Sequence, residues 1–81
     1  MTADTRLPPT ADATPFALRG DHITLDALLK ACGLAGSGGA AKVLIAAGGA
    51  QVNGLTETRR GRKLRGGDVV AAAGATIVVQ A

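Results

Sequence analysis

Two stretches of this chain have the residue types and spacing to act on an anion. The first is Gly36 to Lys42, G-S-G-G-A-A-K, where glycines leave backbone N–H groups bare and a lysine adds charge. The second is Arg59 to Arg65, R-R-G-R-K-L-R, a dense run of cations broken by one glycine and one leucine. Phosphate is the ligand both features suit.

A free nucleotide is the first phosphate to consider. A Walker-type loop requires G-x-x-x-x-G-K-[ST]. Here Ala41 precedes Lys42 and Val43 follows it, so the magnesium-binding hydroxyl is missing. Gly36 to Ala41 also fits a degenerate G-x-G-x-x-A, but that fingerprint counts only between a strand and a helix. The preceding element here reads as an amphipathic helix. What remains is the phosphate of a polymer. Ser37, Gly38 and Gly39 would offer N–H groups at a helix start, and Lys42, one turn further on, a point charge. The same glycines also make a tight helix–helix turn, which is their structural role.

The charge is unevenly placed. The chain has 81 residues and a formal net charge of +3. Lys30, Lys42, Arg59, Arg60, Arg62, Lys63 and Arg65 face only Glu57 between residues 30 and 65, whereas acids outnumber bases before residue 30. Such asymmetry points to a polyanionic partner. Charge alone leaves a second reading open, in which Arg59 to Arg65 is a solvated loop.

Composition removes several classes. The length suits one small domain and no multidomain enzyme. Phe16 is the single aromatic residue, so an RNA binder that stacks bases on rings is excluded. Cys32 is the single cysteine, which rules out an internal disulfide and a cysteine zinc cluster and fits a reducing compartment. No leader pattern and no apolar run of about 18 residues is present, so neither secretion nor a membrane span is expected. His22 beside Asp21 reads as a surface histidine, Cys32 as a buried small hydrophobe, and Asp68 as a turn residue bonding its own backbone. Asp21 and Asp26 give no closed metal-ligand set.

The elements that must position these residues follow from periodicity. Residues 1–14, with Pro8 and Pro9 and almost no apolar anchor, read as a disordered tail ahead of a domain over 15–81. Phe16 to Leu18 suits a short strand or an extended cover. Leu25, Leu28, Leu29 and Cys32 form one helical stripe. Thr24 is its expected cap, Asp26 and Lys30 an i, i+4 pair, and Gly33 the stop. A second helix starts after Ser37 and ends at Gly48-Gly49, with Ala40, Val43, Leu44 and Ala47 facing inward. Lys42 lies roughly 200° from Leu44 and so outward. Asn53-Gly54 then marks a hairpin between Ala50–Val52 and Leu55–Glu57. Gly66-Gly67-Asp68 and Gly74 are further turns around Val69-Val70 and Thr76–Val79. The expected fold is α+β: two packed helices followed by a small antiparallel sheet.

Leu25-Asp26-Ala27-Leu28-Leu29, Gly33-Leu34-Ala35, Ser37 to Lys42, Gly49 to Gly54 and Leu64 to Val70, in that order, resemble the S4-type RNA-binding domain. Gly38 stands where that family commonly has arginine. The S-G-x-x-A-K pattern, with Glu57-Thr58-Arg59-Arg60 and Lys63-Leu64, is similar to the small stand-alone bacterial YbcJ-like subgroup. The resemblance implies an alpha-L motif, built from the helices and the hairpin, that grips structured RNA. By position it implies contacts from Ser37, Lys42, Gln51, Asn53, Arg59, Arg60 and Lys63; Gly38, Gly39, Arg62 and Arg65 join them on the backbone and charge arguments. It implies binding of RNA without modification; the expected protein is a monomer of the bacterial cytoplasm, ribosome-associated, that docks ribosomal or transfer RNA with no cofactor and no catalysis. A module docking a ribosome-associated protein is the alternative, and a small hydrolase or nucleotide binder a more distant one.

Overall fold

The computed structural model describes residues 13–81. The expected tail, residues 1–14, lies outside them but for its last two residues, and Thr14 already opens the first strand. Nine elements follow in the order β1 (Thr14–Ala17), β2 (Ile23–Thr24), α1 (Leu25–Ala31), α2 (Gly38–Ala46), β3 (Ala50–Val52), β4 (Leu55–Thr56), β5 (Lys63–Leu64), β6 (Val69–Ala72) and β7 (Ala75–Gln80).

Helix α1 forms on its leucines. Leu25, Leu28 and Leu29 are fully buried, and Cys32 packs half-buried at the edge of the same core. Thr24 occupies the cap position, but its hydroxyl donates to the Asp26 carboxylate at 2.7 Å instead of accepting from the helix. Asp26 takes the Ala27 N–H at 2.8 Å, so it serves the helix start and not Lys30. The N–H groups of Leu25 and Asp26 donate to the carbonyls of Arg62 and Arg60 at 2.9 and 3.1 Å. A distant segment therefore satisfies donors that a helix start cannot pair internally.

Both helices end in the same way. Gly33 takes a φ of +74°, its N–H reaches Lys30 O, and Leu34 N–H reaches Leu29 O. Gly48, at a φ of +83°, repeats this with Ile45 O, and Gly49 N–H with Leu44 O. These paired bonds satisfy the last carbonyls of each helix and need a left-handed residue, which glycine supplies without a Cβ penalty. Helix α2 begins as expected, with the Ser37 hydroxyl accepting the Ala40 N–H at 3.1 Å.

The inward face of α2 differs from expectation. Ala41 and Ile45 are fully buried and Leu44 half-buried, whereas Ala40 and Ala47 are exposed and Val43 is 69% exposed. The helix is rotated by about one residue. Nearly all its residues are apolar, so hydrophobicity alone selects no face. Burying the larger Ile45 together with the small Ala41 wins over burying Val43.

The sheet also corrects the expectation. Its order is β1-β7-β6-β3-β4, antiparallel except for β1, which runs parallel to β7 with Thr14 opposite Ile77 and Ala17 opposite Gln80. It is thus a mixed sheet whose first strand precedes the helices. A four-residue strand with one apolar anchor, Phe16, carries no signal of direction; that is set by its distant partner. Ala50 and Val52, Val70 and Ala72, and Ile77 and Val79 alternate as buried positions and form one core with both helices and Leu64. The β3–β4 turn is the expected one, with Asn53 and Gly54 at φ of 53° and 84°. Ala73 and Gly74, at 52° and 78°, build the same kind of turn between β6 and β7. Strands β2 and β5 form a separate antiparallel pair, Ile23 opposite Leu64 and Thr24 opposite Lys63. Among the described residues no helix is long and apolar enough to cross a membrane.

Candidate functional site

The basic segment is folded, not splayed. Its end enters β5 and pairs with β2, its Arg60 and Arg62 carbonyls hold the start of α1, and Arg62 N–H turns back to Arg59 O at 3.2 Å. Five cations in such a short span repel one another, so a counter-charge is needed to keep them close. Glu57 supplies it. One carboxylate oxygen accepts the backbone N–H and Nε of Arg59, each at 3.0 Å. The other accepts Arg59 Nη2 at 3.1 Å and Arg62 Nη1 at 3.0 Å.

Glu57 is only 7% exposed. The Arg59 side chain and backbone, then Arg62, hold its carboxyl at a pKa of about 2, against an ordinary 4.5. In return, the Glu57 bond and charge raise the Arg59 pKa. Arg59 nevertheless keeps 75% of its side chain exposed, and Arg62 keeps 34%. Part of each arginine side chain therefore remains open to solvent.

Around this hub Arg59, Gly61, Arg62, Lys63 and Arg65 line an open concavity of about 540 Å³. Arg60 is exposed on the same loop. Arg65 is anchored through its backbone: its N–H donates to the Asp68 carboxylate at 2.8 Å, and its carbonyl accepts from Asp68 N–H at 3.0 Å. The second Asp68 oxygen accepts Asn53 Nδ2 at 3.0 Å, while Asn53 Oδ1 accepts Val69 N–H at 2.9 Å. The Arg65 N–H and then the Asn53 amide hold the Asp68 carboxyl below its ordinary value.

The residues expected to bind are carried by several elements. Arg59, Arg62, Lys63 and Arg65 share the concavity. Ser37, Gly38, Gly39 and Lys42 are exposed at the start of α2, with the Ser37 hydroxyl occupied by its capping bond. Gln51 is exposed on β3 between buried Ala50 and Val52, hence on the sheet face away from the core. The Asn53 amide is engaged at both ends within the fold, in a bridge to Asp68 and Val69.

Sequence reasoning missed the role of Glu57, although the signal was present: one acid at the head of a run of arginines. Asp68 is a turn residue as expected, but its carboxylate takes the Arg65 N–H and the Asn53 amide, not its own backbone. His22 is a surface residue as expected. Its Nδ1 lies 2.6 Å from the Asp21 carboxylate, which His22 and, more weakly, the Arg65 charge hold below its ordinary pKa. Burial raises the Cys32 thiol. Among the described residues no three His, Cys, Asp or Glu side chains gather as metal ligands would. Chemically, the concavity gathers the positive charge of Arg59, Arg62, Lys63 and Arg65, which is what an anion would be attracted to.

A family model described as the S4 domain matches residues 16–80. Among solved structures, the chain is similar to the solution structure of YbcJ from E. coli, with 36% sequence identity and a TM-score of 0.67. The similarity covers 93% of this chain and 96% of that one, and the YbcJ structure is described as revealing an αL motif involved in RNA binding. No curated protein matches the chain significantly.

Proposed function

The chain belongs to the S4-domain family, and on that premise we propose that it is a non-catalytic RNA-binding protein that docks structured RNA, ribosomal or transfer, through phosphate contacts. The observation that carries this reading is the concavity lined by Arg59, Arg62, Lys63 and Arg65, together with the RNA-binding motif of its YbcJ neighbour. Arginine forks and a lysine point charge suit phosphate oxygens. Arg60 is a further contact from the same loop. The exposed start of α2, with Ser37, Gly38, Gly39 and Lys42, is a second contact area. Gln51 contributes a polar contact from β3, and Asn53 acts through the turn it holds.

Folded RNA is favoured over single strands because the one aromatic ring, Phe16, is half-buried against the core. No Phe, Tyr or Trp ring is left on which successive bases could stack. The working form is a monomer in the bacterial cytoplasm, associated with the ribosome; the lone cysteine fits a reducing compartment.

Binding of ribosomal and transfer RNA transcripts as a function of salt tests the proposal. If about five phosphates are engaged, log affinity falls against log salt with a slope of about −3.5 to −4.5. The double variant Lys42→Ala, Arg60→Ala reduces both affinity and slope; parent-like binding by that variant refutes the assigned contacts. A second reading, docking to a ribosome-associated protein, is favoured by Val43 and Leu55, which stand 69% and 74% exposed. Under it, RNA affinity is weak and insensitive to those cations.

A further inference from the structure

We propose that Glu57 is a positioning residue that makes the concavity discriminate folded RNA from flexible single strands. The inference rests on the RNA-binding reading and adds to it the residue that sets selectivity.

An acid in a phosphate site opposes the ligand's charge, so simple electrostatics argues against its presence. Glu57 nonetheless sits nearly covered at the base of the segment and accepts four hydrogen bonds from Arg59 and Arg62. Three of the four come from Arg59, whose Nε and Nη2 are both held, so its planar fork has one orientation. Arg62 is held through Nη1. Both arginines line the concavity.

Cations locked at one spacing reward a ligand whose phosphates already match that spacing. They reward less a strand that must be ordered first, because ordering costs conformational entropy. Mobile cations would follow either ligand and tell them apart poorly. Glu57 therefore gives up some total attraction in exchange for a fixed pattern, and specificity is a difference between affinities.

The test compares the full chain with Glu57→Gln and, separately, Arg59→Lys. Each binds a transfer RNA transcript and an oligouridine strand of equal length across a range of salt. Glu57→Gln adds one net positive charge and turns one of the two accepting oxygens into an NH2 donor, so the side chain can no longer hold both arginines as the carboxylate does. Arg59→Lys keeps the charge but loses the fork. The expected result for Glu57→Gln is weaker transcript binding, unchanged or tighter oligouridine binding, and a selectivity ratio lower by roughly tenfold. Arg59→Lys lowers the same ratio without changing net charge, and it decides the matter if Glu57→Gln does not fold. A purely structural role would weaken both ligands alike and leave the ratio at the parent value. An unchanged ratio in the folded variants, or equal tightening of both RNAs, overturns the inference while leaving the RNA-binding reading intact. If the parent binds neither of these nor a ribosomal RNA transcript, the reading and the inference fall together.

Discussion

The side-chain amide of Asn53 donates to the carboxylate of Asp68 at 3.0 Å, across 15 residues of chain. This bond joins the tip of the β3–β4 hairpin to the turn that closes the basic segment. Because Asp68 also holds the Arg65 N–H, the hairpin tip and the last cation of the concavity are tied through one carboxylate. An asparagine that a motif marks as a contact thus has both ends of its amide engaged within the fold.

Asn53→Ala loses both side-chain bonds and puts a Cβ-bearing residue without local compensation at a φ of 53°. The expected cost is about 1–3 kcal/mol. Asn53→Gly restores the backbone freedom but not the bonds, so it is milder. Urea unfolding midpoints of the two variants check the order; equal loss in both would show that the backbone plays no part.

Ala73 occupies the left-handed region at a φ of 52° in the β6–β7 turn and is exposed. Alanine is a poor choice there, and asparagine a good one. Ala73→Asn is expected to stabilise the protein by about 0.5–1 kcal/mol, read as a higher thermal midpoint. A lower midpoint would contradict the turn geometry.

Two glycines near the helices separate packing from access. A Cβ at Gly49 would lie 2.5 Å from Leu44 Cδ1 and 3.0 Å from Leu44 O, so Gly49→Ala destabilises by about 1–3 kcal/mol. A Cβ at Gly38 meets nothing within 4 Å. Gly38→Ala therefore stabilises α2, by up to about 1 kcal/mol, yet it weakens RNA binding if bare backbone at the helix start receives a phosphate. Thermal melts and binding isotherms on the same sample check that the two effects have opposite signs.

The Glu57 carboxyl is depressed in the folded state, from an ordinary 4.5 to about 2. The stability it contributes is fully present above the unfolded value and is lost as pH falls through the folded one. Asp68 shifts in the same direction. Thermal midpoints should therefore fall as pH drops from about 4.5 towards 2, and Glu57→Gln should flatten that decline. Melts followed by circular dichroism across this window give the comparison.

Much of the fold was legible because local rules decided it. The leucine stripe of α1, the Ser37 cap, the glycine stops and the Asn53-Gly54 turn each depend on residues a few positions apart. What local rules left open depended on distant partners. The parallel pairing of β1 with β7, the β2–β5 pair and the capping of α1 by Arg60 and Arg62 carbonyls are all long-range hydrogen bonds. The buried face of α2 escaped for another reason: an almost wholly apolar helix has no polar stripe to mark its outside. At the site, the cations were visible as a run of charge. The bonds by which Glu57 and Asp68 hold that run in place were not, because they depend on how the backbone folds between these residues.

The pairing of the first strand with the last has a consequence for synthesis. A nascent chain makes β1 early, but the strand has no ladder partner until β7 has left the ribosome. Helices and the central hairpin can assemble as they emerge; closure of the sheet must wait, and such distant pairing is slow. Removing β7 would also cost more than one strand, since β6 and β1 both lose their shared neighbour.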